Sequence, residues 1–292
     1  MKISGDPLAD LKLNPQVSEE RIKAETIRLG LDKSFSQQYL VWFGNLLKFD
    51  FGFAQNNQRV IDVMKPALIN TLILNCLALF FTWMIAIPLG VVAAINKDSW
   101  IDSGLRTLTS FFMSLPGFIF AIFCLIFALY TGWFPIGGLT SVYFDELSFF
   151  GKFIDLARHL VLPVFILTCI GLVSIQRQMR GNLLDVLRED YIRTARAKGL
   201  PEHKVFFKHA LRNAVNPLIT LLGYEFSALF VGSALVEIVL AYPGLGLLTL
   251  EAARKLDTNL VLANLLLGAV MLILGNLLAD LVLVATDPRI KK

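Results

Sequence analysis

Charged residues and cysteines are both scarce in this chain. Asp, Glu, Lys and Arg make up 17% of its 292 residues, whereas about a quarter of a soluble globular domain is charged. Three cysteines in a chain of this length exclude a disulfide-dense scaffold. Cys76, Cys124 and Cys169 lie in apolar runs and lack the spacing of metal ligands. We therefore expect them to pack as small hydrophobic residues, and we expect no metal site.

Hydrophobic residues form 55% of the chain and are clustered in long blocks. Five stretches have roughly the 20 mostly apolar residues that a helix needs to cross the hydrocarbon core. They are 67–95, 107–130, 159–176, 214–240 and 260–286. A lone strand would leave backbone polar groups unpaired in lipid, so each stretch predicts a helix. The sequence therefore indicates an all-α polytopic membrane protein, with kinks where prolines interrupt the spans.

The distribution of Lys and Arg predicts the orientation of the chain. Their density in 96–106, 177–213 and 287–292 is about twice that in the opposite set of segments, 1–65, 131–158 and 241–259. The first set is therefore predicted to face the cytoplasm. This orientation gives an extracytoplasmic segment 1–65, a transmembrane domain 66–286 that contains the cytoplasmic loop 177–213, and a cytoplasmic tail 287–292.

Translocation of the first 65 residues requires a membrane signal ahead of them. Met1 to Leu8 contains no charged region followed by an apolar one. Either the orientation is wrong or a sixth span belongs upstream of Met1, and we favour the second alternative.

Two amphipathic helices are predicted in the segment 1–65. The first begins after Ser18, has Glu19 and Glu20 in its first turn, and ends at Gly30. The second runs from Phe35 to Lys48, with apolar residues at helical spacing that include Tyr39 and Trp42. This pattern suits a helix that lies at the bilayer interface or packs on the spans.

The loop 177–213 has internal structure that the positive-inside rule does not require. Glu189 or Asp190 can open a helix, and Gly199 followed by Pro201 ends it. A second helical stretch from Glu202 to Asn213 leads into the next span. Two short helices joined by a tight turn predict a rigid protrusion.

This loop resembles the EAA signature of the permease subunits of ATP-binding-cassette (ABC) importers, in the form of their dipeptide, oligopeptide and nickel branch. The resemblance rests on Asp190-Tyr-Ile-Arg-Thr-Ala-Arg-Ala-Lys-Gly-Leu and His209-Ala-Leu-Arg-Asn-Ala, in which Arg193-Thr-Ala replaces Glu-Ala-Ala. Further matches are Gly5-Asp6-Pro7, Asp50-Phe-Gly, Tyr242-Pro-Gly-Leu-Gly and Asp287-Pro-Arg-Ile. Together these matches extend over nearly the whole chain.

The resemblance implies a type I ABC importer permease fold in the inner membrane. In that family two permease subunits form the pathway, two cytoplasmic ATPases drive it, and an extracytoplasmic binding protein delivers the cargo. It implies that this chain forms half of a pathway for peptides, with nickel or another small solute as the alternative cargo. The residues it implies for coupling to the ATPases are Tyr191, Arg193, Thr194, Ala195, Arg196, Ala197, Lys198 and Gly199.

Catalysis by the chain itself is not expected. It contains no G-x-x-x-x-G-K-[ST] motif, so ATP must be hydrolysed by a partner. We therefore expect no catalytic residue and no cofactor, and the partners are protein subunits and membrane lipid rather than nucleic acid.

Three carboxylates within the spans are candidates for lining the pathway or a subunit interface, namely Glu225, Glu237 and Asp280. Their burial in the membrane costs several kcal/mol and so suggests a function. A structural role is open for each: the turn at Tyr242-Pro-Gly could cap Glu237, and Arg289 is within reach of Asp280.

Two other classes of membrane protein fit less well. A secondary transporter would be expected to show internal repeats, and the spans around one large basic loop show none. A membrane-embedded enzyme needs a convergent catalytic set, but His159, His203 and His209 lie outside the bilayer core and form no H-E-x-x-H motif.

Overall fold

A computed structural model describes Leu8 and residues 12–13, 17–28, 30, 32–48 and 50–286. Side chains are described for these residues except 25, 28, 35, 220, 222–232, 278–279, 282–283 and 285–286. The matches at Gly5-Asp6-Pro7 and Asp287-Pro-Arg-Ile, and the side chain of Glu225, therefore lie outside the described part.

The described chain consists of helices joined by turns, with one isolated bridge between Phe53 and Arg59. The helices are α1 Glu19–Arg28, α2 Phe35–Leu46, α3 Val60–Ile95, α4 Trp100–Ser114, α5 Gly117–Thr131, α6 Phe149–Val186, α7 Asp190–Ala197, α8 Glu202–Lys204, α9 Arg212–Val239, α10 Leu245–Arg254 and α11 Thr258–Thr286. A 3-10 turn covers Phe144–Glu146, and a π-helical segment, Val205–Leu211, joins α8 to α9.

Among the residues that the structure describes, three helices are long and apolar enough to cross a membrane: α3, α6 and the stretch Thr258–Leu277 of α11. The bent pair of α4 and α5 would add a fourth crossing. Helical structure is present in each predicted span, including 214–240, which α9 covers as far as Val239. The first and third are longer than hydropathy predicted, because α3 has 36 residues and α6 has 38. Their extra turns mix apolar residues with charged ones such as Asp62 and Lys152, and these charges end the apolar runs in the sequence.

The second predicted span, 107–130, is not one continuous helix. Its two parts, α4 and α5, meet at an angle of 98°. Leu115 is extended at the break (φ −94°, ψ 122°), as expected for a residue before a proline. Asp102 and Met113, about 16 Å apart along α4, contact Arg180 and Arg177 within one turn of α6. Helix α4 therefore lies across α6, and only α5 runs along it.

The core forms where α3 and α6 run side by side. A Cβ on Gly90 would meet the Met179 side chain, and a Cβ on Gly171 would lie 3.1 Å from Cγ2 of Thr82. These glycines let the two helices approach closely. Helix α9 completes the bundle, and Leu218 and Ala214 are fully buried against α6 residues such as Met179.

Helices α1 and α2 lie in the segment 1–65, and α2 ends at Leu46, two residues before the predicted end at Lys48. Ser18 Oγ accepts a hydrogen bond from Arg21 N at the start of α1 (3.3 Å), and Gly30 has a left-handed φ of 66° after its end. Ser34 and Gln37 form a capping box at the start of α2.

Candidate functional site

Helix α7 carries the candidate coupling residues and ends as the sequence predicts. Gly199 N donates to the Arg196 carbonyl (2.9 Å), and Leu200 N donates to the Ala195 carbonyl (3.3 Å). This pair of bonds is the Schellman arrangement, which requires a left-handed residue after the helix. Gly199 provides it, with φ 72°.

One face of α7 is buried in the permease itself. Ile192 is fully buried and Ala195 is 7% exposed. Both belong to an apolar cluster with Leu183 of α6, Ala94 of α3 and Val205 of the π-helical segment. Helix α7 is therefore packed onto three elements, namely α6, α3 and the π-helical segment.

Polar contacts fix the ends of α7. Arg196 pairs with Glu202 across the Gly199 turn, with Nε 2.9 Å from Oε1 and Nη2 3.4 Å from Oε2. Tyr191 Oη accepts a hydrogen bond from Asn213 Nδ2 in the first turn of α9 (2.9 Å). The Tyr191–Asn213 hydrogen bond therefore links α7 to the start of α9.

The other face of α7 is open. Its exposed residues are Tyr191, Arg193, Thr194, Arg196, Ala197 and Lys198. Ala195 and Ala197 lie on different faces of α7. Ala195 is turned into the core and Ala197 outward, so only Ala197 can allow a partner to approach closely.

The three candidate carboxylates have different surroundings. The Glu237 carboxylate is fully buried and accepts hydrogen bonds from Thr71 Oγ1 (2.8 Å), Ser233 Oγ (3.2 Å) and Gly246 N (2.7 Å). The cap near Tyr242 that the sequence allowed is thus present. Asp280 is exposed, while the side chains of Glu225 and Arg289 lie outside the described residues.

Sequence reasoning missed a buried ion pair at the same end of the bundle as α7. Arg180 of α6 donates through Nε and Nη2 to the two carboxylate oxygens of Asp102 in α4, both at 2.7 Å. Asp98 N donates to the same carboxylate (3.0 Å), and Arg106 Nε lies 3.7 Å from it. Asp102 looked like an ordinary loop residue, and no local pattern links it to Arg180.

Known membrane transport proteins are similar to this chain in sequence. A family described as "Binding-protein-dependent transport system inner membrane component" matches residues 86–292. The oligopeptide transport system permease protein AppB of Bacillus subtilis (strain 168) is 38% identical, over 98% of this chain and 90% of that protein. The dipeptide transport system permease protein DppB of Escherichia coli (strain K12) is 36% identical, over 99% and 91%.

A solved structure shows the same fold. An inward-facing form of the MetNI methionine ABC transporter matches with a TM-score of 0.62 at 18% identity, covering 77% of this chain and 96% of that one. This likeness supports the type I ABC importer permease fold. The chain belongs to the family of inner membrane components of binding-protein-dependent transport systems. It is a multi-pass membrane protein of an ABC transport system and not a secondary transporter.

Proposed function

We propose that this chain is one of two permease subunits of an ATP-driven peptide importer, and that ATPase subunits engage it through α7. The observation that carries the proposal is the division of α7 into two faces. Ile192 and Ala195 bind it to the bundle, while Arg193, Ala197 and Lys198 are exposed to a partner. Arg193 pairs with Asp190 of the same helix at 3.4 Å, and that pair is itself solvent-exposed. A short helix that packs on the bundle with one face and exposes the other can transmit movement from a bound partner to the bundle.

The contacts around α7 support a mechanical role. Its buried face packs on residues of α3 and α6, its carboxyl end is tied to Glu202, and Tyr191 is bonded to Asn213 at the start of α9. A partner that shifts α7 would therefore shift the predicted cytoplasmic ends of α3, α6 and α9 together. ATP-driven movement would reach the pathway through α6 and α9.

Hydrolysis of ATP falls to other subunits in this proposal, and this chain is not an enzyme. The open face of α7 carries Arg193 and Lys198 around the small Ala197. Such a face suits an acidic groove on an ATPase, because the cations are solvent-exposed and the alanine permits close approach. A second permease subunit would complete the pathway, and an extracytoplasmic binding protein would supply the cargo.

Peptide is the favoured cargo because the similar permeases are named for oligopeptide and dipeptide transport. The test is uptake by a deletion strain of labelled dipeptides, labelled oligopeptides and Ni²⁺, each with and without the cloned chain. We expect peptide uptake to return with the chain. Uptake should stop on ATP depletion and survive collapse of the proton gradient. Restoration of Ni²⁺ uptake alone would refute the peptide assignment.

The coupling surface needs its own test. Arg193→Glu should reduce uptake and weaken copurification of the ATPase subunits, with normal amounts of the chain in the membrane. Lys97→Glu is the matched control, since Lys97 is an exposed cation in the other predicted cytoplasmic loop. Normal uptake by Arg193→Glu would contradict the assignment of α7.

A further inference from the structure

Helix α2 has an apolar face that the rest of the described chain covers only in part, since Trp42 and Leu46 are half-buried and its other members are exposed. At 100° per residue, Tyr39, Leu40, Trp42, Phe43, Leu46 and Leu47 fall on one side, which we call the α2 apolar face. Leu40 is 66% exposed and Leu47 69% exposed. Gln37, Gln38, Gly44 and Asn45 fall on the opposite side, together with the apolar Val41.

The end of α2 is fixed where α11 enters the membrane. Asp50 N donates to the Asn45 carbonyl (3.0 Å), which folds the chain back on the last turn of α2. Three residues further on, the Phe53 carbonyl accepts from Asn259 Nδ2 in the first turn of α11 (3.1 Å), and Gln55 N donates to Asp257 (2.7 Å). The candidate span of α11 begins at Thr258. Helix α2 is therefore tethered at the level of the bilayer surface.

The composition of α2 suits that level. The range from Phe35 to Leu46 contains no Asp, Glu, Lys, Arg or His, so no charged side chain would have to enter the interface. Tyr39 lies against Trp42 and Phe43, with ring centroids 6.0 and 6.1 Å apart, and Trp and Tyr are the residues enriched at membrane surfaces. Exposed lysines flank the helix at Lys33 and Lys48, where their ammonium groups can reach anionic headgroups.

We propose that α2 is a membrane-surface anchor, with its apolar face inserted among the lipid headgroups of the leaflet that borders the start of α11. Lipid is the occupant because the tether holds α2 beside the bilayer that α3 and α11 cross, so the apolar surface of the spans continues onto it. A protein partner would have to displace lipid already within reach of this face.

The test uses nitroxide labels on the complete transporter in liposomes of phosphatidylethanolamine and phosphatidylglycerol. Cys76, Cys124 and Cys169 are replaced by Ala, and a single label is placed through Phe43→Cys on the apolar face. Asn45→Cys, on the opposite side, is the matched control. We expect the label at position 43 to collide severalfold more with dissolved oxygen, and severalfold less with the water-soluble Ni(II) complex NiEDDA, than the label at 45.

Three results would overturn the proposal. Equal access of NiEDDA to both positions would place the apolar face in water. Shielding of position 43 from oxygen and NiEDDA alike would show that it packs on protein. Shielding that begins only when loaded binding protein is added would assign the face to that partner. Leu47→Glu offers a further check, since Leu47 is exposed and its change spares the fold: NiEDDA access at position 43 should rise.

Discussion

Asp102 and Arg180 are 78 residues apart in sequence and form a two-bonded ion pair, with Nε to Oδ1 and Nη2 to Oδ2 both at 2.7 Å. The pair joins α4 to α6, across which α4 lies. Arg180 is about two turns before the end of α6 at Val186. The chain then enters α7 at Asp190. The same part of α6 therefore holds both the crossing helix and the candidate coupling helix.

Breaking this pair should destabilise the protein. Asp102→Asn removes the charge that pairs with Arg180, whose side chain is 18% exposed, and we expect a loss of about 1–3 kcal/mol. The measurement is thermal unfolding of the purified protein in detergent. Lys97→Ala is the control, because the Lys97–Asp98 pair is solvent-exposed and should contribute less than about 1 kcal/mol.

Exchanging the two charges tests directly whether Asp102 and Arg180 stabilise each other. Asp102→Arg with Arg180→Asp restores one acid and one base at this contact, so the double variant should unfold at a higher temperature than either single variant. Additive losses in the double variant would show that the two side chains do not stabilise each other.

The two faces of α7 predict opposite behaviour for neighbouring alanines. Ala195 is 7% exposed within the apolar cluster. Ala195→Trp should therefore overpack the core, lower the free energy of unfolding by about 1–3 kcal/mol or more, and reduce the amount of folded protein. Ala197 is exposed, so Ala197→Trp should leave the amount normal but reduce ATPase copurification and uptake. Quantitative immunoblots of membranes and pulled-down complexes separate the two outcomes. Equal membrane amounts of both variants would contradict the burial of Ala195.

Local signals predicted α7 well because capping and turn formation depend on adjacent residues. Gly199 stops the helix through its own left-handed backbone. The inward direction of Ala195 could not be read in this way, because it depends on where Leu183 and Val205 meet α7. The Asp102–Arg180 pair is equally non-local, and a single sequence holds no pattern that joins two helices.

The effect of each proline on its helix could not be predicted from the sequence either. Pro66, Pro88, Pro163 and Pro217 all lie inside continuous helices, whereas Pro116 stands at a bend of 98°. Each proline removes one backbone donor, and the packing of neighbouring helices decides whether the helix continues. At Pro116, Phe112 of α4 packs edge-on against Phe120 of α5, with ring centroids 5.3 Å apart, which stabilises the bent form.

The turn after α7 predicts a glycine-specific effect. Gly199 has φ 72° with open space around it. Gly199→Val should therefore destabilise this turn through backbone strain of about 1–2 kcal/mol rather than through a clash. We expect reduced coupling, measured as ATP hydrolysed per peptide imported. Gly181→Ala in α6 is the control, since it also meets no neighbour within 4 Å and should be neutral or slightly stabilising. Equal effects of the two changes would refute a conformational role for Gly199.

The buried carboxylate of Glu237 should be more important for stability than for substrate passage. It accepts hydrogen bonds from Thr71, Ser233 and Gly246, so Glu237→Ala leaves buried donors unpaired at a total cost of more than about 3 kcal/mol. Gly246→Ala should be similarly harmful, because its Cβ would overlap the Ala234 backbone and lie 2.9 Å from the Glu237 carboxylate. Glu251→Gln on the exposed side of α10 is the control. Thermal unfolding and peptide uptake are measured together, and we expect uptake to fall only as far as the amount of folded protein falls. Normal stability with lost uptake would instead make Glu237 a pathway residue.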